Sequence, residues 1–228
     1  MTPAEYQEII RYAKRAPVKM APWKDLLLPY IKGKKILDWG SGPGYRAKVL
    51  LDWGAAEVSI WDPAPDSKKI YDLIFKEKVK SLKWFDEGTI NFDKLPDIST
   101  DILFTAGVQS QVGPDPYGWW NNVVSKIKTK YYICIWHTGG TDQDIIARDD
   151  LPLSTPNRTP DHFSMYTFNG FNKESGDKIF KSDARLKEIA HKKAYLPEHY
   201  SFSHVPMQLL LFERKNYDNE TNFKRTND

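Results

Sequence analysis

The segment Ile36-Leu37-Asp38-Trp39-Gly40-Ser41-Gly42-Pro43-Gly44 places three glycines at every second position directly after a short apolar run. Tyr45 to Trp53 then follows with helical spacing of its apolar residues, and Gly54 stands where a helix C-terminus favours glycine. The pattern is therefore strand, tight turn, helix. Glycine suits such a turn where φ is positive, and where a ligand must approach the backbone with no Cβ in its way. Val58-Ser59-Ile60-Trp61-Asp62 reads as the next strand, ended by Pro63 and Pro65. Asp62 thus falls eighteen residues after Gly44. In a doubly wound sheet that position sets a carboxylate over the hydroxyls of a bound ribose, outside the carboxyl ends of the strands.

Outward from this core, the same alternation continues. Ser67 to Lys78 reads as a helix, Val79 to Phe85 as a strand, and Asp101 to Thr105 as another. Trp119, Trp120, Val123, Val124 and Ile127 mark a helix, for which Asp115 and Pro116 form the start. Tyr131 to Trp136 is nearly all apolar, as expected of a strand covered on both faces. A helix over Ser182 to Ala190 and two closing strands, Lys193 to Leu196 and Met207 to Glu213, complete the pattern. Between them, 141–172 reads as a long excursion over the sheet edge. The order predicts an α/β fold with a parallel sheet and right-handed crossovers.

Ahead of the sheet, two short helices are expected, broken by Pro17 and Pro22, with Pro29 ending the second early. The first 35 residues carry eight basic side chains against three acidic ones, although the whole chain of 228 residues has a formal charge of only +3. An anionic partner is one reading of this local excess, and a solvated helix face is the plainer one. Apolar residues at 40% and charged residues at 28% describe a globular chain. A single cysteine, Cys134, excludes a disulfide framework and a Cys-rich zinc ribbon. No apolar run nears the roughly 20 residues of a membrane span, and no secretory signal opens the chain. A cytoplasmic protein with no metal site is expected.

The glycine spacing also separates nucleotide classes. Dinucleotide enzymes use Gly-x-Gly-x-x-Gly to seat a pyrophosphate. Here the spacing is Gly-x-Gly-x-Gly, with Asp38 two positions before the first glycine. A carboxylate there is a poor neighbour for a pyrophosphate and a good one for an amino group. A ligand with an ammonium and a ribose fits, and S-adenosylmethionine has both.

Residues 36–44 resemble motif I of the class I S-adenosylmethionine-dependent methyltransferases. The resemblance extends over roughly Leu26 to Lys215, through Asp101 to Val108, Gln109 to Val112, Asp115-Pro116, Trp119, Tyr131 to Trp136, Gly139-Gly140 and Met207 to Glu213. It implies a doubly wound, Rossmann-like, seven-stranded and mostly parallel sheet with an antiparallel last strand. A helical extension over 1–33 would precede a cofactor-binding domain over 34–215, with a frayed tail over 216–228. The cofactor implied is S-adenosylmethionine, with S-adenosylhomocysteine as product. Asp38, Gly40, Ser41, Gly42 and Gly44 would meet its methionine part, Asp62 and Pro63 the ribose side, Asp86 the adenine, and Thr105 and Ala106 the end of the fourth strand.

Two departures stand out: Trp39 replaces the usual small aliphatic residue, and the adenine-side polar group could equally be Glu87 or Thr89. His137, at the end of the fifth strand, is taken as the candidate general base, as histidine titrates near neutral pH; His162, His199 and His204 in the later loops could each serve as well. The implied function is methyl transfer to a small molecule or to a nucleic acid such as an RNA cap. The competing readings are a non-catalytic module of the same fold and an NAD-dependent oxidoreductase. Oligomeric state is not legible in the sequence.

Overall fold

The computed structural model describes residues 3–107, 116–137, 175–195 and 207–217. The 141–172 excursion, Asp115, His162, His199, His204 and all of the tail beyond Tyr217 lie outside them. The chain runs α1 (Pro3–Met20), a 3-10 turn (Ala21–Trp23), α2 (Lys24–Ile31), β1 (Lys35–Trp39), α3 (Tyr45–Asp52), β2 (Glu57–Trp61), α4 (Pro65–Ile74) and β3 (Leu82–Trp84). It continues with β4 (Ile98–Ala106), α5 (Pro116–Lys126), β5 (Ile127–His137), α6 (Ser175–Lys181), β6 (Leu186–Ala194) and β7 (Met207–Arg214).

The seven strands form one sheet in the order β3-β2-β1-β4-β5-β7-β6. Strands β1 to β5 pair in parallel, and β7 is antiparallel to both β5 and β6. The order reverses between β1 and β4, which is where open α/β sheets bind ligands. This is the expected doubly wound architecture, with an antiparallel β6–β7 pair at one edge.

Period-two alternation along the strands divides the core into two layers. Ile36, Val58, Ile60, Ile102, Phe104, Ile133, Ile135, Leu209 and Leu211 face Ala16, Met20, Trp23, Leu27, Ile31, Leu50 and Tyr71 from α1 to α4 and the turn between α1 and α2. Leu37, Trp39, Leu103, Tyr132, Cys134, Trp136, Leu210 and Phe212 face Trp120, Val123 and Val124 of α5 and Ile179 and Phe180 of α6. The N-terminal helices therefore share the first layer with the sheet. Tyr30 of α2 also meets Tyr131 of β5 edge to face, with centroids 5.2 Å apart.

Several elements differ from the sequence-based expectation. Pro17 does not break α1, which continues to Met20. Proline removes the bond to residue 13, but Pro17 and Ala13 are both exposed, so water can serve the freed carbonyl. Pro29 likewise lies within α2, exposed along with Asp25 four residues earlier. The helix expected over Ser182 to Ala190 is not one: α6 ends at Lys181, and Leu186 to Ala194 is strand β6. A register shift between Glu188 and Ala190 disturbs the alternation that would have marked it. β3 is only three residues long, β4 and β5 begin earlier than expected, and α4 stops at Ile74.

Candidate active site

The turn after β1 uses all three glycines in the left-handed region, with φ of 74° at Gly40, 59° at Gly42 and 97° at Gly44. The amides of Gly40 and Ser41 both donate to the Trp61 carbonyl, at 2.8 and 3.0 Å, fastening the turn to the end of β2. The Ser41 hydroxyl donates to the Gly42 carbonyl at 2.8 Å. The glycines differ in their surroundings. A Cβ on Gly44 would stand 2.8 Å from Ile60 Cδ1, so this glycine permits close packing of helix on strand. A Cβ on Gly42 would meet nothing within 4 Å. Gly42 therefore borders open space, and its left-handed φ is what calls for glycine there.

Asp38 follows Ile36 by two residues and so points into the first core layer. It is fully buried, and neither carboxylate oxygen has a hydrogen-bond partner. Burial pushes its pKa up to about 7, opposed by the nearby Arg46 guanidinium and reinforced by the Asp62 carboxylate. An unpartnered buried carboxylate is costly, and a hydrogen-bonding cation relieves that cost. Arg46 does not meet those oxygens; its Nη1 donates to the Ala106 carbonyl at the end of β4.

Asp62, just past β2, by contrast accepts three hydrogen bonds. Its Oδ2 accepts from the Gly42 amide at 2.8 Å, while Oδ1 accepts from the Ala64 amide at 2.9 Å and the Ser67 hydroxyl at 3.0 Å. Asp62 thus holds the glycine turn through its central amide, while Asp38 lies buried and unpartnered on the strand that leads into it.

Thr105 and Ala106 end β4 beside β1, both buried, and the Thr105 hydroxyl has no partner. Pro63 is exposed next to Asp62. Asp86, two residues beyond β3, has a side chain 78% exposed, with Lys68 Nζ at 3.6 Å. Lys68 also stands 5.3 Å from the Trp84 ring centroid. His137 closes β5 opposite Met207, two strands along from β1. The structure therefore gathers Asp38, Gly40, Ser41, Gly42, Gly44, Asp62, Thr105 and Ala106 around the strand ends. Asp86 instead follows β3, the strand at the sheet's edge.

Sequence reasoning missed Arg46, which carries no signal beyond being a cation on a helix. It also missed Gly88, where a Cβ would fall 1.8 Å from Trp61 Cδ1. Trp39, the departure noted above, lies against Trp61 with ring centroids 4.1 Å apart and stacks on Phe92 at 6.1 Å. The bulk of Trp39 is thus absorbed in the second core layer, on the face opposite Asp38.

No protein-family model matches the chain, and no curated protein matches it either. Solved structures do. Magnesium protoporphyrin IX methyltransferase from Synechocystis PCC 6803, with bound S-adenosylhomocysteine, aligns at a TM-score of 0.61 and 12% identity, over 92% of this chain and 87% of that one. A Haloferax volcanii complex between the Trm112 methyltransferase activator and a methyltransferase gives 0.59 at 14% identity, over 91% and 97%. A SAM-dependent methyltransferase from Aquifex aeolicus gives 0.52 at 13% identity, over 83% and 89%. The chain shares their fold, the class I methyltransferase fold.

Proposed function

We propose that the chain is an S-adenosylmethionine-dependent methyltransferase. The observation that carries this reading is Asp38: a fully buried carboxylate with both oxygens unpartnered, beside a glycine turn that borders open space. An ammonium group supplies the donors those oxygens lack, and the open side of Gly42 accommodates the chain that bears it. When bound, the cofactor supplies a methyl group made electrophilic by its sulfonium.

The protein's part is orientation and exclusion of water, since a methyl so activated needs alignment more than activation. Asp38 would hold the amino group, the glycine turn the adjoining backbone of the ligand, and Asp62 the ribose. Thr105 would offer its unpartnered hydroxyl from the floor of the crevice. His137, at the strand end nearest the space beyond β4, is proposed to take the proton from the acceptor nucleophile. The acceptor is a small molecule or a nucleic acid, and the fold is compatible with both.

Calorimetric titration of the full chain with S-adenosylhomocysteine tests the proposal. Binding in the micromolar range is expected, on the order of −8 kcal/mol. Asp38→Ala and Asp62→Ala should each weaken it, and equal affinity in wild type and both variants would refute the assignment.

A further inference from the structure

Arg46 stands in the first turn of α3, half-buried, and its side chain reaches from there to the end of β4. Nη1 donates to the Ala106 carbonyl, and Nη2 stands 4.0 Å from where a Cβ on Gly107 would lie. Nothing else comes within 4 Å of that position, so the guanidinium lies beside open space. A guanidinium carries five donors. Among the described residues Arg46 uses them for the Ala106 carbonyl and for no carboxylate. Asp38 lies on the neighbouring strand in register with Phe104, so Ala106 is two residues further along β4. Two residues of strand advance about 7 Å. An unpartnered carboxylate and a guanidinium with donors to spare therefore stand on the α3 side of β1 and β4, where the strand order reverses, without bonding each other.

We propose that Arg46 holds the α-carboxylate of the cofactor's amino-acid end while Asp38 holds its ammonium, so that the site selects an intact amino acid over its decarboxylated form, an assignment that rests on the methyltransferase reading above. Opposite charges that share a crevice without pairing suit a ligand carrying both. An α-amino acid held at each end by a hydrogen bond of about 2.9 Å bridges a gap of the size that the register leaves. An amine alone satisfies Asp38 and leaves Arg46 as it is. The planar fork of a guanidinium matches two carboxylate oxygens at once. Arg46 can offer that fork through Nε and Nη2 while Nη1 keeps the Ala106 carbonyl. The other acid at the turn, Asp62, accepts from the Gly42 and Ala64 amides and the Ser67 hydroxyl and makes no bond to Arg46. The Arg46 charge also counters the burial that raises the Asp38 acid, which favours the ionised form that an ammonium meets.

The test is calorimetric titration of the full chain at pH 8 with S-adenosylhomocysteine and with decarboxylated S-adenosylhomocysteine, the readout being the ratio of the two affinities. A change in the Asp38 acid, or a general loosening of the crevice, acts on both ligands and leaves that ratio alone. Wild type should favour S-adenosylhomocysteine by about tenfold or more, as for a charge-assisted contact. Arg46→Gln should bring the ratio close to unity. Arg46→Lys, which keeps the charge and loses the fork, should retain a smaller preference than wild type. Lys48→Gln, on the same helix but paired with Asp52, should leave the ratio unchanged. Thermal melting reports whether each variant folds, and Arg46→Lys carries the test if Arg46→Gln does not. Equal affinities in wild type, or a preference undiminished in the Arg46 variants that fold, overturns the role of Arg46 and leaves the cofactor reading standing. Binding of neither ligand to wild type overturns the cofactor reading and this assignment with it.

Discussion

Replacing Asp38 by asparagine should make the cofactor-free protein more stable, and increasingly so as pH rises. With its folded pKa raised from 3.8 to about 7, the Asp38 carboxyl stays protonated in the native chain over a range where the unfolded chain has already released the proton. Native stability is therefore fully present below pH 4 and is lost as pH climbs towards 7, after which the loss is constant. At pH 8 the interval corresponds to about 4 kcal/mol. Asparagine removes the titration while keeping the shape. Urea unfolding of wild type and Asp38→Asn at pH 5, 6, 7 and 8 should give curves that diverge, the variant gaining about 1.4 kcal/mol per pH unit up to neutrality.

Ligand binding should show the opposite preference. If an ammonium group meets the ionised carboxylate, S-adenosylhomocysteine affinity for wild type should rise about fifty-fold from pH 5 to pH 7. It should flatten above pH 8 and show no such rise in Asp38→Asn. Parallel unfolding curves, or affinity independent of pH in wild type, would refute the reasoning that burial makes this acid wait for a cation.

Other expectations follow from single contacts. Gly44→Ala should cost about 1–3 kcal/mol in chemical denaturation, because its left-handed φ and the Ile60 methyl both oppose a Cβ. Gly42→Ala shares the backbone penalty but meets no neighbour, so it should lose about 1 kcal/mol of stability and proportionally more ligand affinity. Gly88→Ala should destabilise by roughly 1–3 kcal/mol and red-shift tryptophan emission, since the methyl would have to displace the Trp61 ring. Trp120, fully buried between Phe180 and Tyr132, should cost about 3–5 kcal/mol on truncation to alanine.

The parts of the fold legible in the sequence were those where burial on both faces leaves a run of apolar residues. Tyr131 to Trp136 and Met207 to Phe212 announce themselves because helices or strands cover them on either side. β6 did not, since most of its side chains are exposed and its register slips near Glu188, so the expected alternation is broken. α6 was missed for a related reason: among its last turn only Ile179 and Phe180 are buried, too few to set a helical period. Pro17 and Pro29 were overweighted because exposure, which sequence does not display, decides whether an interrupted helix can hydrate its freed carbonyl.

In the crevice, the glycine turn and the acid one strand later were legible from spacing alone. That Asp38 is unpartnered while Asp62 accepts three hydrogen bonds was not, because both are simply aspartates at strand ends. Arg46 was equally silent, and its tie to the end of β4 became visible only in the folded chain.

The hydrogen bonding of Asp62 has a bearing on how any sugar could be recognised there. A carboxylate offers about four lone-pair directions, and the Gly42 amide, the Ala64 amide and the Ser67 hydroxyl use three. A vicinal diol arriving at this acid finds a single direction left for two hydroxyls. The two amides are fixed by the chain, but the Ser67 hydroxyl can swivel about its own bond. Of the three donors on Asp62, the Ser67 hydroxyl is therefore the one that can turn aside and free a second acceptor direction at this acid.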